Sequence, residues 1–153
     1  MPYEISTKEL PPQHVALVRR ATSMAVIGKD IHEGFADLME AMAGAGVSPS
    51  GPPFVVYHGL DDQIDRIEIC APVVEPFEDR GEARGMRIPA GLVACTIHRG
   101  RFEEIGPAYQ ALAVWVREHD RQMAGPPREV YLTDLEATPD PASNVTEVQF
   151  PID

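Results

Sequence analysis

A seven-residue segment that recurs with five of its seven positions identical constrains the fold of this chain more than any other feature. Gly51-Pro52-Pro53-Phe54-Val55-Val56-Tyr57 is matched 74 positions later by Gly125-Pro126-Pro127-Arg128-Glu129-Val130-Tyr131. The same offset carries Ile31, Phe35, Leu38 and Met42 onto Ile105, Tyr109, Leu112 and Val116. Each of these sets has the i, i+4, i+7, i+11 spacing of one helical face. With small length changes, Glu68-Ile69-Cys70-Ala71-Pro72 matches Glu147-Val148-Gln149-Phe150-Pro151, and Val15-Ala16-Leu17-Val18 matches Val93-Ala94-Cys95-Thr96. Each half therefore reads strand, helix, strand, strand. Self-similarity of this kind settles architecture before any local propensity does. The expected fold class is α+β, a duplicated strand-helix-strand-strand repeat. The 153 residues suit one domain, 1–153, with repeat one at about 13–72, a crossover at 73–90 and repeat two at about 91–151.

The finer map follows from turn residues and periodicity. An opening strand is expected within 3–10 and the first repeat strand at 13–21. A helix is expected at about 30–45, with Asp30 as its N-cap and Gly44 or Gly46 as its stop. Strands are expected at 54–58 and 66–71, joined by Gly59-Leu60-Asp61-Asp62. Residues 73–87, rich in Glu, Arg and Gly, read as a solvated crossover. The second half gives a strand at 91–99, a helix at about 103–119, a strand at 129–133, a loop at 135–143 and a strand at 145–150. Pro107 sits early in the second helix, where a missing N–H is tolerated.

Charge narrows the partners. Thirteen Lys and Arg stand against 24 Asp and Glu, a net charge of −11. Such a surface repels phosphate backbones and anionic membranes, so neither direct nucleic-acid binding nor membrane association is expected. No apolar run approaches the ~20 residues of a membrane-spanning helix, and no signal peptide is visible, so a cytoplasmic location is expected. Cys70 and Cys95 lie in apolar strand-like runs and read as buried reduced thiols. The five histidines show no metal-ligand spacing, and no phosphate-binding glycine loop or nucleophile elbow is evident. No metal and no cofactor are expected.

Strand alternation assigns faces. Val130 and Leu132 are expected to cover the second helix, leaving Glu129, Tyr131 and Thr133 pointing away from it. Val55 and Tyr57 are the counterparts of Glu129 and Tyr131. Ile67, Ile69 and Ala71 are expected to face the first helix, with Glu68 and Cys70 opposite. Two halves related by a pseudo-twofold would bring Tyr57 and Tyr131 to a common concave surface with Glu129 on one wall. Aromatic walls around one carboxylate suit a flat, apolar cation, through ring area, cation–π attraction and charge pairing. Glu68 and Trp115 are further candidates for this site. Each has a plainer role open to it: cross-strand packing for the tyrosines, a solvated strand position for Glu68, helical core for Trp115.

The segments Gly125 to Asp134, Thr146 to Ile152 and Tyr109 to Trp115, with the opening Glu9-Leu10-Pro11-Pro12-Gln13-His14-Val15-Ala16, resemble the GyrI-like small-molecule-binding family. That family includes effector-binding domains of AraC-type and MerR-type regulators and is related to the SOUL haem-binding proteins. The resemblance implies a curved antiparallel sheet with two helices on one side and a ligand cleft between the repeats. It also implies that Glu129, in a Glu-x-Tyr motif, is the acidic cleft residue that meets cationic ligands, with Tyr57, Tyr131 and Trp115 lining the cleft. Family regulators carry a DNA-binding helix pair ahead of this domain. Here the first repeat strand begins near Gln13, which leaves no room for one, so a stand-alone or excised domain is expected. Two functions are implied: a drug sensor or sequestering protein for lipophilic, cationic aromatic molecules, or a hydrolase of strained electrophilic compounds that uses Glu129 and Tyr131. A homodimer and, by analogy with the family's namesake, a protein partner complete the expectations.

Overall fold

The computed structural model describes residues 3–60, 63–133 and 140–153. The elements run β1 (Ser6–Leu10), β2 (Gln13–Ala21), α1 (Ile27–Gly44), β3 (Phe54–Leu60), β4 (Gln63–Val73), β5 (Arg84–Ile88), β6 (Gly91–Arg99), α2 (Gly106–Glu118), β7 (Arg128–Tyr131) and β8 (Val145–Ile152). Short 3-10 turns occupy Phe102–Glu104 and Pro141–Ser143. The expected Asp61-Asp62 turn and most of the 135–143 loop lie outside the described residues. The fold is α+β and the duplication is real. Among the described residues no helix is long and apolar enough to cross a membrane.

Contacts divide the chain into two units. The first-repeat unit is Pro12–Pro89, with antiparallel strand order β3-β4-β2-β5. The second-repeat unit is Met1–Pro11 with Ala90–Asp153, in the order β7-β8-β6-β1. Corresponding residues pair alike. Val15 pairs with Pro72 as Val93 pairs with Pro151, and Tyr57 pairs with Ile67 as Tyr131 pairs with Thr146. Ser50 N–H donates to Pro72 O as Ala124 N–H donates to Pro151 O, both at 2.8 Å. Strands β1 and β5 each precede one repeat in sequence yet pair in the other: β1 on β6, β5 on β2. The crossover thus contains a strand that sequence pattern does not reveal. Arg84-Gly85-Met86-Arg87-Ile88 is an edge strand of mostly exposed residues, without a regular apolar–polar alternation.

The helices obey the repeat too. Gly34, Leu38 and Met42 are the buried positions of α1, and Ala108, Leu112 and Val116 those of α2. In the first-repeat unit α1 packs across β2 and β4; in the second, α2 packs across β6 and β8. Helix α1 begins at Ile27, not at Asp30. Asp30 lies in its first turn, where a negative charge suits the helix dipole, and accepts a 2.7 Å hydrogen bond from Thr22 Oγ1. Both helices end on a left-handed residue, Gly46 (φ 73°) and its counterpart Asp120 (φ 53°). The following amides close matching bonds, Val47 N–H to Met42 O at 2.9 Å and Arg121 N–H to Val116 O at 3.0 Å. Cys70 and Cys95 are both buried.

Candidate functional site

Strand register corrects the expected faces. Glu129 pairs with Val148 and Tyr131 with Thr146, so the four side chains share one face of the second-repeat sheet. Val148 belongs to the cluster formed with Ala108, Leu112 and Val116 of α2, which makes this the helix side. Glu129 and Tyr131 therefore point toward the helix side, not away from it. Val130 is half-buried on the opposite face, and Leu132 follows the strand at 45% exposure. The same register puts Val55 with Ile69 and Tyr57 with Ile67. The apolarity of Val130 and Leu132 misleads because, within the second-repeat unit's order β7-β8-β6-β1, β7 stands beside the ground that α2 covers on β6 and β8.

One residue of α2 reaches over this strand. Tyr109 donates its hydroxyl hydrogen to Glu129 Oε2, and Tyr131 donates to Oε1 at 3.3 Å. Glu129 is only 7% exposed. Phe102, from the turn before α2, meets the Tyr131 ring edge-on with centroids 5.6 Å apart. Phe150 packs against Tyr109 at 5.7 Å. His98 fixes the approach to Phe102. Its Nε2 donates to Arg101 O at 2.8 Å, which leaves Nδ1 to accept from Tyr3 Oη at 2.9 Å. The result is a desolvated carboxylate, held by two hydroxyls, in an aromatic surround. An ionised carboxylate in such a place is costly until hydrogen bonds or a cation compensate it.

The other candidates stand elsewhere. Tyr57 occupies in the first-repeat unit the place Tyr131 has in the second. Glu68 shares a face with its pairing partner Arg19, opposite to Ile67 and Tyr57. It accepts from Arg19 Nε at 2.9 Å and contacts His58 Nε2 at 2.6 Å. It is an ion-paired residue of the first-repeat sheet, not a neighbour of that unit's tyrosine. Trp115 stacks on His119 at 4.1 Å and packs on the α2 cluster. Six residues at 3.6 per turn put it about 120° around the helix from Tyr109. Sequence reasoning missed Tyr109 as a site residue, although a signal was present: its repeat counterpart is Phe35, as that of Glu129 is Val55.

The sequence matches the GyrI-like small molecule binding domain over residues 3–153. The chain belongs to this family. No curated protein matches it in sequence. The C-terminal domain of EcmrR is 26% identical, over 100% of this chain and 99% of that one, with a TM-score of 0.87. EcmrR in a complex with DNA gives 25% identity over 99% of this chain and a TM-score of 0.90, and this GyrI-like domain spans 57% of the EcmrR chain there. Two solved structures share the fold at lower identity. SAV2435 bound to tetraphenylphosphonium matches at 10% identity and a TM-score of 0.66, over 100% of this chain and 94% of its own. A hydrolase from Listeria innocua matches at 13% and 0.65, over 99% and 93%. The chain is a small-molecule-binding domain, similar to the C-terminal domain of EcmrR.

Proposed function

We propose that this GyrI-like domain binds lipophilic aromatic cations at Glu129 and acts as a drug-sensing or sequestering module. The observation that carries the reading is the buried Glu129 carboxylate, bonded to the hydroxyls of Tyr109 and Tyr131 beside Phe102. A cation that meets this carboxylate exchanges water for charge pairing and aromatic faces. Oriented hydroxyls around an acid, with aromatic area and one buried negative charge, describe recognition better than turnover.

Tetraphenylphosphonium, the ligand of fold-sharing SAV2435, is the natural first probe. A thermal-shift titration against it and against neutral triphenylphosphine oxide tests the proposal. The cation raises the melting temperature progressively with concentration, as a stabilisation of RT ln(1 + [L]/Kd) requires, and the neutral compound raises it far less. A flat response across a panel of lipophilic cations contradicts the proposal. Multiple-turnover product formation from electrophilic aromatic compounds would establish the hydrolase instead.

A further inference from the structure

The two repeats differ in a systematic way on their helix-side faces. Where the first has Phe35, Val55, Val18 and Ile67, the second has Tyr109, Glu129, Thr96 and Thr146. Three of these polar groups are accounted for by hydrogen bonds. Tyr109 serves Glu129, Glu129 accepts from both tyrosines, and Thr96 Oγ1 donates to Glu4 O at 2.8 Å. Thr146 is the exception. It is 1% exposed, and its hydroxyl has no hydrogen-bond partner among the described residues. A buried hydroxyl without a partner carries a desolvation penalty that an isosteric valine would not.

We propose that Thr146 is a second polar recognition point of the Glu129 site, selecting aromatic cations that carry a hydrogen-bonding substituent such as an amine, hydroxyl or carbonyl. The proposal rests on the reading of Glu129 as the cation site. Thr146 is the direct cross-strand partner of Tyr131, which places their Cβ atoms about 4.5–5.5 Å apart on the same face. The Tyr131 hydroxyl bonds Glu129 at 3.3 Å, a long bond that a cation on the carboxylate displaces. The Thr146 hydroxyl, on the same face beside Tyr131, then accepts from an amine or donates to a carbonyl on the ligand. Glu129 reads the charge and Thr146 reads the substituent.

A matched pair of probes tests this. 3,6-Diamino-10-methylacridinium is a tricyclic aromatic cation with two exocyclic amines, and 10-methylacridinium is the same ring cation without them. Thr146→Val is expected to weaken the diamino cation roughly three- to tenfold, the worth of one neutral hydrogen bond, and to leave 10-methylacridinium within about twofold. Thr146→Ser keeps the hydroxyl and is expected to retain the preference for the diamino cation. Without ligand, Thr146→Val melts at or above the wild type. Glu129→Gln weakens both probes and so reports on the underlying reading separately. An equal loss for both probes in Thr146→Val, or no loss for either, overturns the proposal. So does a clearly destabilised Thr146→Val, which would mean that the hydroxyl is already bonded in the empty protein. Failure of both cations to bind the wild type overturns the Glu129 reading, and this proposal with it.

Discussion

Tyr109 donates its hydroxyl hydrogen to Glu129, and both stand where the first repeat has apolar residues, Phe35 and Val55. The two changes belong together. A carboxylate introduced on the buried face of β7 needs donors, and a hydroxyl added to a phenyl ring on α2 supplies one.

That pairing predicts a non-additive mutant cycle. Tyr109→Phe removes a donor from a buried charge and is expected to cost ~1.5–3 kcal/mol of stability. Glu129→Val leaves the Tyr109 hydroxyl without this acceptor and is also expected to destabilise, by about 1–3 kcal/mol. The double variant restores the first repeat's apolar pair and is expected to be more stable than either single variant, close to wild type or above it. Urea denaturation of the four proteins measures the coupling. Additivity to within ~0.5 kcal/mol would show that the two groups do not depend on each other.

A second cycle concerns packing in the first-repeat unit. A Cβ on Gly34 would collide with Ile69 Cδ1. The counterparts of these residues are Ala108 and Val148, one methyl larger on the helix and one methylene smaller on the strand. Gly34→Ala is therefore expected to lose stability, because overpacking at ~1–3 kcal/mol outweighs the ~1 kcal/mol that alanine gains over glycine in a helix. Adding Ile69→Val should recover most of that loss. A double variant less stable than Gly34→Ala, by thermal or urea unfolding, would break the correspondence.

Left-handed backbone at a non-glycine residue supplies a third prediction. Asp120 has φ 53° at the end of α2, where the end of α1 has Gly46. Asp120→Gly is expected to stabilise the protein by up to about 1 kcal/mol, since glycine takes this conformation without steric cost. A lowered melting temperature would show instead that the aspartate side chain does something glycine cannot.

Glu68 and Trp115 separate the site from its surroundings. Glu68 is 16% exposed and bonds both the half-exposed Arg19 and His58, so Glu68→Gln is expected to cost about 1–3 kcal/mol of stability. Its affinity for tetraphenylphosphonium should equal that of the wild type. Trp115→Phe, which weakens the stack on His119, should also leave that affinity unchanged. A marked loss of affinity in either variant, by fluorescence or calorimetric titration, would bring that residue into the site.

The duplication was legible because Gly-Pro-Pro turns and two helical stripes recur at one offset, and pairings such as Val15–Pro72 and Val93–Pro151 follow from it. Strand β5 was not legible, because an exposed edge strand needs no regular apolar alternation. Neither was the face of Glu129. Alternation gives the period of a strand but not its phase, and in β7 the polar residues occupy the buried phase. That conflict between pattern and burial is tolerable only with hydroxyls at hand. Tyr109 escaped notice because a tyrosine on an apolar helical stripe reads as core until it is set against Phe35.

The central claim is that Glu129 holds the cation. Isothermal titration of wild type and Glu129→Gln with tetraphenylphosphonium and with triphenylphosphine oxide measures it directly. Glutamine keeps the shape and the hydrogen-bonding reach but not the charge. The predicted result is a loss of ~2–5 kcal/mol for the cation, little change for the neutral compound, and an unaltered fold by circular dichroism. Equal affinity of the two proteins for the cation would remove Glu129 from the site.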